Sequence, residues 1–258
     1  VNDMSAVILI AGDGGTGKTD QSKKFPEPLA HCNFEFPKGY DAKSERIITT
    51  YPCREIHGYK LNGLKYESAP IQKGFKKGQI NVSATYELIK TTIDDVLDHS
   101  GDFETISLDS ISDIREIVSA QWLIDYRKKG TKEAGRKSIG KDPSAWSAIN
   151  KIVCDDLLFP IINIGRIENK NIVFTARNTD EYKVIELETG KEETAKTGKR
   201  IIDAQDWLSF EIDVIAQLEA NEKGSYSMMC KKTPVGVITR MDITGKTIFD
   251  ILEERGVM

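Results

Sequence analysis

The chain has 258 residues, enough for one large α/β domain or two small ones, with 36 Lys and Arg against 40 Asp and Glu. A net charge of −4 excludes a uniformly basic nucleic-acid coat and leaves room for a local basic patch. Four cysteines (Cys32, Cys53, Cys154, Cys230) lack the spacing of zinc ligands, and the longest clean apolar run, residues 6–11, is far short of the ~20 residues that span a bilayer, so the expectation is a cytoplasmic protein with reduced thiols and no membrane partner.

In chain order, Val7-Ile8-Leu9-Ile10 reads as a strand buried on both faces. A glycine-rich loop and a helix-compatible stretch to Lys24 follow, stopped by Pro26 and Pro28. Residues 29–36 form a second expected strand and residues 46–51 a third, ended by Pro52. Residues 57–80 hold four glycines and read as loops or a small hairpin. Ser83 can cap a helix to about Asp98, with Leu88, Ile89, Ile93, Val96 and Leu97 on one side. Residues 103–108 are the next buried strand, and Ile114, Ile117, Val118 and Trp122 give helical spacing to about Tyr126. A break of different composition covers 127–142. Asp142-Pro143 then opens a helix whose apolar face carries Trp146, Ile149, Val153 and Leu157.

Residues 171–176 form another strand, and the polar stretch 178–200, with Thr189-Gly190-Lys191 at its turn, reads as a hairpin or loop. Residues 214–218 and 226–230 are two further strands, and 248–252 a short terminal helix. Strands alternating with helices predict a single α/β domain over 1–258, with a mostly parallel sheet flanked by helices and antiparallel strands near the C-terminus.

Chemistry is concentrated after the first strand. Gly12-Asp13-Gly14-Gly15-Thr16-Gly17-Lys18-Thr19 fits GxxxxGK[ST], the phosphate-binding loop. Its glycines let backbone N–H groups curl around phosphate oxygens at a helix N-terminus. Lys18 supplies a point charge to the β- and γ-phosphates, and Thr19 a hydroxyl to Mg²⁺, so ATP and Mg²⁺ are the expected cofactors. Asp13 puts a negative charge beside a triphosphate; it either points outward or weakens affinity. Such a loop needs a carboxylate at the end of a buried strand to hold the metal, and Asp109, closing Ile106-Ser107-Leu108, is the candidate, with a helix-capping role as the alternative. Glu35, at the end of the second strand, is the candidate for activating water, ahead of Glu55 and Glu67. Trp122, Trp146 and Trp207 read as core or interface anchors. His31, His57 and His99 are too far apart in sequence to suggest a metal or triad site.

These residues resemble the RecA-like P-loop ATPases. Asp109-Ser110 is similar to that family's second nucleotide motif, and Glu35 sits where the family keeps its catalytic glutamate. Residues 171–178, ending in Thr175, Arg177 and Asn178, resemble the strand that ends in a polar γ-phosphate sensor. Residues 230–236 are similar to a Lys-x-Arg-Phe-Gly segment whose lysine, here Lys231, reaches a neighbouring subunit's nucleotide; Thr233 stands where the family has arginine. The order of motifs over roughly residues 5–240 is most similar to compact phage and archaeal-virus core-only ATPases of recombination or single-strand annealing. The resemblance implies a homo-oligomer, ring or filament, that hydrolyses ATP and acts on DNA, single-stranded above all.

The break at 127–142 holds seven Lys and Arg against two acids, with three glycines. A flexible cationic loop of this kind can track a phosphate backbone, and Lys128, Lys129, Arg136 and Lys137 are the DNA-binding candidates. It contains no aromatic residue for base stacking, and a plain solvated loop is the alternative. A packaging or helicase-loading motor would share the same motifs, as would a nucleotide switch. A small-molecule kinase fits less well, because strands 214–230 carry the sheet past a compact kinase core.

Overall fold

The computed structural model describes residues 5–34, 53–57, 82–128, 143–186, 192–204, 208–220, 226–233 and 238–257. Strand β1 (Val7–Gly12) is buried at every position and lies in the middle of the sheet. Around it run β2 (Leu29–Asn33), β3 (Cys53–His57), β4 (Thr105–Asp109), β5 (Asn171–Glu186), β6 (Glu192–Ile202), β7 (Val214–Ala220), β8 (Tyr226–Lys232) and β9 (Ile238–Asp242). The order across the sheet is β3-β2-β4-β5-β1-β7-β8-β9, with β6 paired to the outer half of β5. The β2-β4-β5-β1-β7 block is parallel, and β3, β8 and β9 join antiparallel at the two sides. The expected mostly parallel sheet with antiparallel C-terminal strands is what the chain forms.

Alternation along β1 splits the core in two, because successive side chains of a strand face opposite sides of the sheet. Val7 and Leu9 face one side, with Ile106, Leu108, Ile172 and Phe174. Helices α2 (Val82–Asp98) and α3 (Ile111–Lys128) cover that face, as do α4 (Pro143–Lys151) and α5 (Phe159–Ile167). Ile8 and Ile10 face the other side, with Val173, Val214, Ala216, Met228 and Cys230. There α7 (Ile248–Glu254) packs, opened by a capping box in which Thr247 and Asp250 satisfy each other's backbone N–H groups. Each fully buried Ile or Phe contributes roughly 1.5–3 kcal/mol to such a core.

Several expected bounds move. The second strand covers Leu29–Asn33, with residues 35 and 36 of its expected range outside the described residues, and the fourth runs over Thr105–Asp109. An additional strand lies beyond Pro52, at Cys53–His57; the expected strand at 46–51, most of 57–80 and the residues 129–142 of the basic break are outside the described residues. Helix α3 continues through Lys128, two residues past the expected end. The helix opened by Pro143 carries its apolar face through Leu157 as expected and runs on: a π-helical stretch, Ile152–Leu158, hands it to α5, which carries Pro160 in its first turn. Inside a continuous helix a proline removes one backbone donor and crowds the preceding turn, and Pro160 follows directly on the π-helical stretch. The polar stretch 178–200 is indeed a hairpin, β5 turning back into β6, and β9 is a strand that sequence reasoning did not find.

Candidate nucleotide site

Strand β1 ends at Gly12 and α1 (Lys18–Ser22) begins six residues later, so the loop joins a buried strand to a helix N-terminus. Gly12 has no room for a side chain: a Cβ there would lie 2.5 Å from Thr16 Oγ1 and 2.9 Å from the Leu218 carbonyl. Gly15 and Gly17 adopt φ of 83° and 79°, which favour glycine, and Gly17 is the N-cap of α1. These are the backbone requirements of an anion cradle, and the residues present fit a bound triphosphate.

Lys18 is 4% exposed, and its Nζ donates to the Asp13 carbonyl at 3.0 Å. The same carbonyl accepts from Thr16 Oγ1 at 2.8 Å. The Asp13 carboxylate turns outward and meets Arg200 of β6, with Oδ1 2.7 Å from Nη2. Arg200 also donates to the Asn178 carbonyl at 3.0 Å and reaches Asp180 Oδ1 at 3.2 Å. Nothing local in the sequence foretells this contact, which spans 187 residues; the acid inside the loop is the one hint. Asp180 has a second partner, Lys196, whose hydrogen bond and charge hold its carboxyl below the usual range.

Two strands away from β1, Asp109 closes β4 fully buried. Thr19 Oγ1 donates to its Oδ2 at 2.6 Å, and Thr175 of β5 donates to its Oδ1. Strand β5 lies between β1 and β4, so Thr175 fills the gap between the loop and the carboxylate. The capping role at the start of α3 falls to Ser110, whose Oγ accepts from the Asp113 N–H at 3.3 Å. The pair that sequence spacing assigns to the metal, Thr19 and Asp109, is thus assembled with oxygens on both sides of one carboxylate. Mg²⁺ takes one or two protein oxygens and completes its shell with phosphate and water, which this donor set matches. His31, set aside in sequence, is buried beside them, with Nε2 3.9 Å from Asp109 Oδ2 and Nδ1 3.2 Å from Ser107 Oγ.

The other candidates separate. Arg177 does not face the loop; its Nη2 lies 3.1 Å from Asp113 and 3.2 Å from Glu116 at the start of α3. The Asn178 backbone carbonyl receives Arg200. Lys231 is exposed near the far end of β8, where Lys232 is in register with Ile215, whereas Gly12 is in register with Leu218 at the loop end of β7. Its own loop is therefore at the opposite edge of the sheet. Arg240 is engaged by Glu219 and Ser227. Glu35, Glu67, Lys129, Arg136, Lys137 and Trp207 lie outside the described residues, and of Glu55 and Lys128 only the backbone is described. A residue missed in sequence is Tyr226, whose ring edge would sit 3.9 Å from a Cβ on Gly17.

Among the described residues no helix is long and apolar enough to cross a membrane. No curated protein matches the chain. The family model described as AAA domain matches residues 4–241. With the strand–loop–helix cradle and the Thr19–Asp109 pair in place, that match over nearly the whole length shows that the chain belongs to the AAA-domain family of P-loop ATPases.

Proposed function

We propose that this protein hydrolyses ATP with Mg²⁺ and acts on DNA in recombination or single-strand annealing. The observation that carries the nucleotide half of this reading is the join between Thr19 and Asp109 at 2.6 Å, with Thr175 on the carboxylate's other oxygen. Bound Mg²⁺ would neutralise charge on the β- and γ-phosphates. In our reading Thr19 and Asp109 hold the metal, Lys18 leaves the Asp13 carbonyl for phosphate oxygen, and Thr175 keeps the carboxylate oriented. The metal pair lies toward β4, so the terminal phosphate belongs on the β4–β5 half of the site. The base then belongs toward β7–β8, where Tyr226, 37% exposed, offers a ring beside Gly17. Glu35 follows Phe34, whose N–H donates to the Asp109 carbonyl, and we assign it to the attacking water.

The DNA half rests on charge. Seven cations against two acids in residues 127–142 give the acidic chain one basic segment. Lys128, Lys129, Arg136 and Lys137 are the phosphate-backbone contacts in this reading. The position of Lys231, exposed and far from its own loop, supports a homo-oligomer in which it serves a neighbouring subunit's site.

The test is steady-state ATP turnover with and without single-stranded DNA over a salt series, beside mass photometry. We expect stimulation by DNA that fades steeply with salt, and assemblies larger than one chain. Turnover that needs a small-molecule acceptor, or ignores DNA at low salt, overturns the DNA reading. Replacing Lys128, Lys129, Arg136 and Lys137 together should weaken DNA retention and leave ATP binding intact.

A further inference from the structure

We propose that Arg200 is a phosphate-binding residue of its own chain's site, and that Asp13 competes with the terminal phosphate of a nucleoside triphosphate for it. This rests on the reading that residues 12–19 bind a nucleoside triphosphate.

One loop residue holds two cations. The Asp13 carbonyl takes Lys18 Nζ at 3.0 Å, and its carboxylate takes Arg200 Nη2 at 2.7 Å. The topology places them there. Gly12 is in register with Arg177 on β5, so the chain leaving β1 and the chain leaving the core half of β5 emerge side by side. The hairpin then returns, and Arg200 pairs with Asp180 just beyond that point. The Asn178 carbonyl and Asp180 Oδ1 fix two further directions of the guanidinium. Arg200 therefore stands at the edge of the loop, over the β4–β5 half where the metal pair puts the terminal phosphate.

Magnitudes favour exchange over a static role. Arg200 and Asp13 are each about half exposed, at 48% and 55%. An ion pair between two such exposed groups is weak, so it does not hold the hairpin in place. A terminal phosphate offers more negative charge than one carboxylate, and an arginine fork binds two of its oxygens at once. An acid in a phosphate loop repels the triphosphate unless a cation balances it, and Arg200 is that cation. Since the guanidinium is carried by β6, its transfer from Asp13 to phosphate would report the third phosphate to the hairpin.

The test compares binding of a non-hydrolysable ATP analogue, AMP-PNP, with ADP, both with Mg²⁺, by isothermal titration calorimetry. Arg200→Ala should weaken AMP-PNP at least tenfold and ADP less than threefold; Arg200→Lys should fall between Arg200→Ala and the parent. Asp13→Asn should tighten AMP-PNP by three- to tenfold, because competitor and repulsion go together. Lys196→Ala, which removes another partner of Asp180 without touching the loop, should change neither affinity. Equal losses for both nucleotides, weaker binding in Asp13→Asn, or the same loss in Lys196→Ala overturns the proposal. A Lys18→Ala control separates the two failures. If Lys18→Ala binds like the parent, the reading of the loop fails. If it does not bind while Arg200→Ala binds like the parent, the inference about Arg200 alone fails.

Discussion

Thr19 and Asp109 are 90 residues apart in sequence, and the threonine hydroxyl donates to the aspartate across 2.6 Å. The contact passes in front of β5, which separates their two strands, and it ties the start of α1 to the end of β4. Neither side chain would take this position for packing alone: Asp109 is fully buried, and a buried carboxylate is costly without hydrogen bonds. Replacing Asp109 with Asn keeps the shape and removes the charge. Asp109→Asn is expected to lower ATP turnover by about 10²–10³-fold, the usual effect of losing one preorganised electrostatic contact. It should also raise the Mg²⁺ concentration needed for half-maximal rate. A magnesium titration of the variant checks this, and an unchanged midpoint would remove Asp109 from the metal.

Lys18 is 4% exposed, and a buried ammonium is costly unless acceptors meet it, of which the Asp13 carbonyl is one. Lys18→Ala is expected to abolish turnover within detection, a loss of at least about a hundredfold. The fold should survive, since Lys18 opens α1 beyond the end of β1 and lies outside both core clusters. Steady-state hydrolysis beside a circular-dichroism melt separates the two effects.

Thr175 donates to Asp109 from the strand between the loop and the carboxylate. Thr175→Val keeps the volume and deletes the donor, leaving a buried oxygen with one partner fewer. The expected cost is about 1–3 kcal/mol of stability, read as a lower denaturant midpoint at unchanged slope. Turnover should fall in the same variant, because the carboxylate loses one of the two bonds that orient it. A variant with full stability and full activity would make this hydrogen bond dispensable.

Sequence showed the parts of the site that are local. An apolar run followed by glycines at fixed spacing needs no tertiary information, and neither does an aspartate that closes Ile106-Ser107-Leu108. What it could not show is which local pieces meet. Arg200 was one cation in a mixed-charge hairpin, and only the pairing of Gly12 with Arg177 and of Asp180 with Arg200 brings it to Asp13. Strand β3 escaped for the opposite reason: Cys53-Arg54-Glu55-Ile56-His57 has weak strand propensity and owes its form to pairing with β2 at the sheet's edge. The γ-phosphate sensor candidates divided once the strand was in place. Thr175 faces Asp109 and Arg177 faces the acids of α3.

Helix α5 lies against β5 through Gly165, where a Cβ would sit 2.3 Å from Ile172 Cγ1 and 2.8 Å from its Cδ1. Ile172 is fully buried in the core on the α5 side of the sheet, so displacing it disturbs packed neighbours. Gly165→Ala should therefore destabilise by about 1–3 kcal/mol through overpacking, despite alanine's better helix propensity. That corresponds to a fall of several degrees in melting temperature, at about 2–4 °C per kcal/mol for a chain of this size. Nucleotide affinity should stay within twofold, because the contact is far from the loop; a stabilised variant would mean that α5 can lift from the sheet.

Cys230 sits fully buried on β8 among Val214, Ala216 and Met228, and burial pushes its thiol up to about 11. In the unfolded chain a thiol ionises near pH 8.5. Below that value both states hold the proton and the thiol costs nothing. Between roughly pH 8.5 and 11 the unfolded state releases a proton that the folded state keeps, so stability falls with rising pH across that window. Cys230→Ala should flatten this decline, apart from its own cavity cost, and a series of urea midpoints from pH 7 to 10.5 compares the slopes. Iodoacetamide at pH 8 should leave the Cys230 peptide unmodified in the folded protein and modify it in urea. Rapid labelling without denaturant would mean that the β8 face opens on the timescale of the reaction, and the raised thiol would then not describe the protein in solution.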